Sequence, residues 1–283
     1  MTIEAPKGKG ELRSPSLNAT GPEMPSLGRL EVRLARTRED IAASQALRYR
    51  IFYDEMGAKP TPEMAAARRD FDRYDDVCDH MLVIDHTAPK GDEVIGTYRL
   101  LRQEVAQANG GFYSQGEFDL SPLISRAGDK VRFLELGRSC VHVGYRNKPT
   151  LELLWVGIMS YVHYYGLDVM IGCASLPGTD PKALTLPLSF LHHYCLAPQP
   201  WRVRAQADQF VAMDRMAKEA VDVREALRAL PPLVKGYVRA GAFIGEGAVV
   251  DEQFNTTDVL VIFPVAEINE RYYTRFARGQ REG

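Results

Sequence analysis

The chain has 283 residues, 45% of them hydrophobic, which is enough for a substantial core and too many for an intrinsically disordered protein. Its 35 Lys and Arg against 37 Asp and Glu leave a formal net charge of -2, so there is no general electrostatic case for binding nucleic acid. Four widely spaced cysteines without a CxxC pair suit free thiols in a reducing cytosol. No continuous apolar run suits a signal peptide or a membrane span, and the expected location is cytoplasmic, at most peripheral on the inner face of the membrane.

Residues 1–28, rich in Pro, Gly, Ser and Lys, predict a flexible tail ahead of a single domain over 29–283 that ends in a helical elaboration. EVRLA (31–35) alternates like a first strand. Thr37 can then cap a helix from about Arg38 to Met56, closed by Gly57, in which Ile41, Leu47, Ile51 and Phe52 form an apolar stripe and Arg48 and Arg50 project elsewhere. The run DFDRYDDVCD holds Asp70, Asp72, Asp75, Asp76 and Asp79, a dense acidic patch that either receives a cation or is a solvated loop. HMLVIDH (80–86) and VIGTYRLL (94–101) read as a hairpin. TLELLWVGIMSYVHYYG (150–166) has helical length with Thr150 as its cap, and LDVMIGCAS (167–175) resumes a buried strand. Leu184–Cys195 and Pro231–Gly241 read as helices and TDVLVIFPV (257–265) as the last strong strand. Phe210, Val211, Met213 and Met216 suggest a further helix; with Leu233, Val234, Tyr237 and Val238 they line an apolar channel, rest on a bilayer or pack in the core.

The segment RFLELGRSCVH (132–142) sets Glu135 and Arg138 inside what otherwise looks like a buried strand. Charged side chains are almost never fully buried unless paired or employed, so the two call for an ion pair or a reaction. Residues three apart in a regular strand point to opposite faces. The two can therefore serve one site only if the strand is bulged, and Gly137 between them is a natural place.

Other candidates are weaker. His192 and His193 are adjacent on a helix, point in different directions and lack a spaced partner, so no metal site is expected. Tyr194 is either a proton donor or a packed aromatic. VGYRNK (143–148) is a reduced phosphate loop. Arg146, Lys148, Lys235, Arg239, Arg271, Arg275, Arg278 and Arg281 supply positive charge for an acidic protein or anionic lipid, or are ordinary surface charge.

A helix after the first strand, an antiparallel group and a strand–helix–strand crossover describe an α/β sheet of mixed direction. That order resembles the Gcn5-related N-acyltransferase fold, a mixed, mostly antiparallel sheet flanked by helices. Arg48 and Phe52 in LRYRIF, Asp72 and Asp75 in DRYD, Arg99 in GTYRLL, and Glu135 and Arg138 in ELGR stand in the order of the acyl-homoserine-lactone synthases, with Ala58 where those enzymes carry a tryptophan. From about Leu30 to Tyr272 the chain resembles more closely the bacterial L-ornithine N-alpha-acyltransferases, through ALRYRIFYDEMGA, GGFYSQGEFDLSPL, LELGRSCV, GCASLPGTDP, LPPLVKGYVRAGAF and FNTTDVLVIFPVA.

The resemblance implies transfer of a long-chain, usually 3-hydroxylated, acyl group from the phosphopantetheine thioester of acyl carrier protein to the alpha-amine of L-ornithine, giving lyso-ornithine lipid, with no bound cofactor. It implies Glu135 and Arg138 as catalytic residues, and Arg48, Phe52, Asp72, Asp75 and Arg99 as donor- or substrate-binding ones. A glutamine acyltransferase, an autoinducer synthase and a non-catalytic lipid or carrier-protein binding module are the alternatives.

Overall fold

The computed structural model of the protein describes residues 21–268; Tyr272, Arg271, Arg275, Arg278 and Arg281 lie outside the described residues, as do residues 1–20 of the predicted tail. Within 21–28 the chain already contributes β1 (Ser26–Leu27), paired antiparallel to β2 (Leu30–Leu34). The first helix, α1 (Arg38–Tyr49), starts at the predicted cap: the Thr37 side chain accepts from the Asp40 amide, and Asp40 returns the bond. It widens into a π-helical turn over Arg50–Glu55 and ends before Gly57, whose φ of 77° only glycine adopts readily.

After α2 (Pro62–Ala67) come the expected hairpin strands β3 (Asp79–Asp85) and β4 (Val94–Arg102), then α3 (Gln103–Ala108), β5 (Phe118–Asp119) and α4 (Ser121–Ala127). The crossover is β6 (Phe133–Val141), α5 (Lys148–Tyr165) and β7 (Val169–Pro177). Asn147, not Thr150, caps α5: its side chain accepts from the Thr150 amide, and Pro149 fits the first turn, where no N–H is needed.

The remaining elements are α6 (Thr185–Cys195), β8 (Arg204–Ala205), α7 (Val223–Ala229), α8 (Pro232–Ala240), β9 (Phe243–Asp251) and β10 (Thr256–Pro264). The segment with Phe210, Val211, Met213 and Met216 is not the expected helix. It runs as irregular chain beside β9, with Val211 bridged to Ala248. Strand β9 was missing from the sequence reading because Gly245 and Gly247 interrupt its apolar run. Gly247 has a φ of 87° and lies against the Phe210 ring, where a side chain would collide.

The strands form one sheet in the order β1-β2-β3-β4-β6-β7-β10-β9-β8-β5, parallel only at β6/β7 and β8/β9. On one face Ile158 and Tyr161 of α5 and Tyr237 of α8 pack on Leu134, Met170 and Val261. On the other, Phe112, Phe118 and Leu120 cover Phe133, Ile171, Leu260 and Ile262, while Leu47 and Ile51 of α1 cover Leu82 and Ile84. No helix among the described residues is long and apolar enough to cross a membrane.

Candidate active site

The parallel strands β6 and β7 stay paired only from Phe133 to Glu135 and then part. Gly172 sits at the fork, where a Cβ would collide with the Leu136 carbonyl. A cavity of about 840 Å³ fills the opening. Leu151 and Trp155 of α5 and Leu233, Gly236 and Arg239 of α8 line it from one face of the sheet; Phe52, Arg99, Tyr113, Glu135 and Arg138 line it from the other.

The strand is bulged, one step beyond the expected position. Arg99 pairs with Gly137 and Thr97 with Cys140, so Arg138 and Ser139 together oppose Tyr98, and Arg138 takes a left-handed φ of 48°. The extra residue reverses the alternation, and the Arg138 guanidinium reaches the same face as Glu135, stacking over Tyr113 at 4.9 Å and Phe254 at 4.6 Å.

Glu135 and Arg138 do not form an ion pair with each other among the described contacts. Glu135, 4% exposed, is held by backbone instead: Oε2 accepts from the Tyr113 amide at 2.7 Å, and Oε1 accepts from the Ser114 amide at 2.8 Å and the Ser114 hydroxyl at 2.5 Å. Burial raises its pKa, and the Ser114 and Tyr113 donors and Arg99 only partly oppose that. Three bonds leave one of a carboxylate's roughly four acceptor positions for an amine or a water.

Arg138 belongs to a different group. Arg48, expected to project away from the core stripe, is fully buried: Nε donates to Asp70 at 2.7 Å, and both terminal nitrogens donate to Asp75 at 2.8 and 2.9 Å. Arg99 donates to Asp72 at 2.6 Å, and Arg138 donates to Asp72 at 3.2 Å and approaches Asp70 at 3.3 Å. Asp75 also accepts from the Asp72 amide, closing a capping box around a short 3-10 turn, Arg73–Asp76. Burial alone would raise the Asp75 pKa. Arg48, with Arg99 behind it, overrides that and holds the carboxyl well below the ordinary range. The acidic patch is therefore neither a solvated loop nor an open cation receiver: three of its carboxylates are matched by three arginines.

The structure thus brings Phe52, Arg99, Glu135 and Arg138 to the cavity wall and sets Arg48, Asp72 and Asp75 behind it as their ionic support. Sequence reasoning missed Tyr113 and Ser114, whose role rests on backbone amides, and missed Asp251 and Asp258, which also line the cavity. Asp258 carried the signal already applied to Glu135, a lone acid in an apolar strand run. Tyr194 is 46% exposed and is not among the cavity residues. Asp214 lies 3.2 Å from His193 Nε2, a carboxylate partner unseen in sequence, but that nitrogen also lies 2.9 Å from the Met216 carbonyl, to which it can only donate.

The family model described as Acetyltransferase (GNAT) domain matches residues 47–156, from α1 into α5. The L-ornithine N(alpha)-acyltransferase of Agrobacterium fabrum (strain C58) is 52% identical over 252 residues, covering 88% of this chain and 86% of that protein. That of Rhizobium meliloti (strain 1021) is 50% identical, covering 87% of this chain and 83% of that protein. The solved structure of FeeM, an N-acyl amino acid synthase from uncultured soil microbes, matches 84% of this chain and 92% of its own at 10% identity and a TM-score of 0.45. With half its residues shared across almost the whole length of such relatives, the chain belongs to the L-ornithine N(alpha)-acyltransferase family.

Proposed function

We propose that the protein transfers a 3-hydroxyacyl chain from the phosphopantetheine thioester of acyl carrier protein to the alpha-amine of L-ornithine, and that Glu135 receives the proton. The observation that carries this reading is the cavity through the β6/β7 fork, with a buried, backbone-held carboxylate on its wall. An ammonium must lose a proton before it can attack a thioester carbonyl. A carboxylate with a raised pKa and one acceptor position left takes that proton directly or through a water. The nitrogen then bonds to the carbonyl carbon and gives up a second proton, the carbon–sulfur bond breaks, and the carrier's thiolate takes that proton and leaves as the thiol.

The bulged backbone at Arg138–Ser139, out of register with β4, offers N–H groups to the developing oxyanion, and the Arg138 charge lies beside it. Arg48, Asp70, Asp72 and Asp75 act as positioning residues that fix Arg99 and Arg138. On the donor side, the N-terminus of α5 with Arg146, Asn147 and Lys148 suits the phosphate of the prosthetic arm, and Leu151, Trp155 and Leu233 suit an acyl chain. Lys235 and Arg239 suit an acidic carrier. No metal or bound cofactor enters this scheme.

The test is to supply purified protein with 3-hydroxyacyl carrier protein and ornithine, glutamine or S-adenosylmethionine, and to identify products by mass. Acyl-ornithine is expected. Its absence with every donor, while another acceptor is acylated, overturns the reading.

A further inference from the structure

We propose that Glu117, Asp251 and Asp258 form the subsite that receives the side-chain ammonium of the acceptor. This rests on the ornithine reading above and adds to it where the second amine is held. One oxygen from each of the three carboxylates lies within 4.8 Å of the others, and no Lys, Arg or His forms an ion pair with any of them among the described residues. Arg138 is the nearest positive influence, and its guanidinium is taken by Asp70 and Asp72. An ammonium has three N–H donors, one for each acid.

Two further observations point to a ligand. Asp258 is 6% exposed and lines the cavity, and its Oδ1 makes no hydrogen bond of good geometry among the described residues; the nearby Thr256 and Ser175 hydroxyls only hold down the rise of its pKa. Buried polar atoms without partners are costly, and a donor arriving through the cavity satisfies them. Burial, reinforced by neighbouring acids, also lifts Glu117 to about 7 and Asp258 to about 6. Such acids gain most from a cation that draws them back to the ionised form.

The placement fits a diamine. Asp258 pairs with Ser175 on β7, and Glu135 pairs with Ile171 on the same strand, so both acids project from one face. Strands β6 and β10 flank β7 on opposite sides, so the backbones of the two acids stand about 13 Å apart along the strands and about 10 Å apart across them, roughly 16 Å in all. Two acidic side chains reaching inward, a four-carbon chain of alpha carbon and three methylenes between two amines, and a hydrogen bond of about 2.9 Å at each end fill that span. Glutamine offers no charge to this group, so the subsite supplies a reason for one acceptor over the other.

The experiment compares kcat/KM for ornithine with that for norvaline, the same carbon chain without the second amine, using the full chain and an acyl carrier protein donor. In Asp258→Asn the ornithine-to-norvaline ratio is expected to fall at least about 30-fold, the size seen when one partner of a buried charge pair is removed, and to fall through KM for ornithine. If that variant does not fold, Asp251→Asn and Glu117→Gln carry the same comparison. A wild type that turns over norvaline as well as ornithine, or folded variants that keep the wild-type ratio, overturns the subsite and leaves the proposed reaction standing. Failure of the wild type to acylate ornithine at all removes both. Loss of the ratio on adding a chelator, with recovery on adding magnesium or calcium, assigns the three acids to a metal and also overturns the proposal.

Discussion

Two groups of buried and half-buried acids meet near the same cavity in opposite electrical states. Asp70, Asp72 and Asp75 are matched by Arg48, Arg99 and Arg138; Glu117, Asp251 and Asp258 have no cation of their own among the described residues. The first group spends its charge on holding the site wall together. The second is left uncompensated, and burial pushes Glu117 and Asp258 toward the neutral form. A dense run of aspartates in sequence therefore turned out to be the neutralised group, while the acids that remain uncompensated come from separate elements.

The sharpest break of this comparison is at Glu135, the carboxylate on the cavity wall beside both groups. Glu135→Gln is expected to lower single-turnover acylation by about 10²–10⁴-fold, the usual worth of a general base, with the circular dichroism spectrum retained. Wild-type turnover in a folded variant would remove the base from the scheme. Next, Arg48→Ala leaves Asp70 and Asp75 buried without their main partner and should cost roughly 3–5 kcal/mol in a denaturant titration. Asp258→Asn, which relieves repulsion among unpaired acids, should be neutral or stabilising in the same titration. Equal losses in the two variants would erase the distinction.

The pH dependence of stability should carry opposite signs for the two groups, with about 1.4 kcal/mol for each pH unit by which a pKa moves. Asp75 has a lowered pKa. Its contribution is present above the ordinary value of 3.8 and is lost as pH falls toward the folded value. Glu117 and Asp258 have raised values, so their contribution is complete below about pH 4 and is lost as pH rises through about 6 to 7. Denaturant midpoints from pH 3 to 8 should flatten on the acid side in Asp75→Asn and on the neutral side in Asp258→Asn. The smallest effect is expected at the donor entrance. Lys235→Glu with Arg239→Glu should raise KM for the carrier-bound donor several-fold at low salt, with the difference shrinking as salt is added.

Much of this site was legible as chemical incongruity: Glu135 and Arg138 stood out because a charge inside an apolar run demands a reason. Asp258 in TTDVLVIFP met the same criterion and passed unnoticed beside its more conspicuous strand neighbours. Arg48 was misplaced for a different reason. Its partners Asp70 and Asp75 lie 22 and 27 residues further along, and a helical stripe drawn from apolar positions alone excludes an arginine whose burial depends on distant carboxylates. The bulge was required by the three-residue spacing, but its exact place depends on strand pairing that β6 alone does not encode. Strand β9 was hidden by glycines that β10 and the Phe210 ring require.

The short pairing of β6 with β7 has a kinetic consequence. In the proposed reaction a cavity lined from both faces of the sheet would let the thioester and the amine approach from opposite sides, so that neither has to depart before the other arrives. Initial rates measured against both substrates should then give double-reciprocal lines that intersect, the pattern of a ternary complex, rather than the parallel lines of an acylated enzyme passing its cargo in two separate visits.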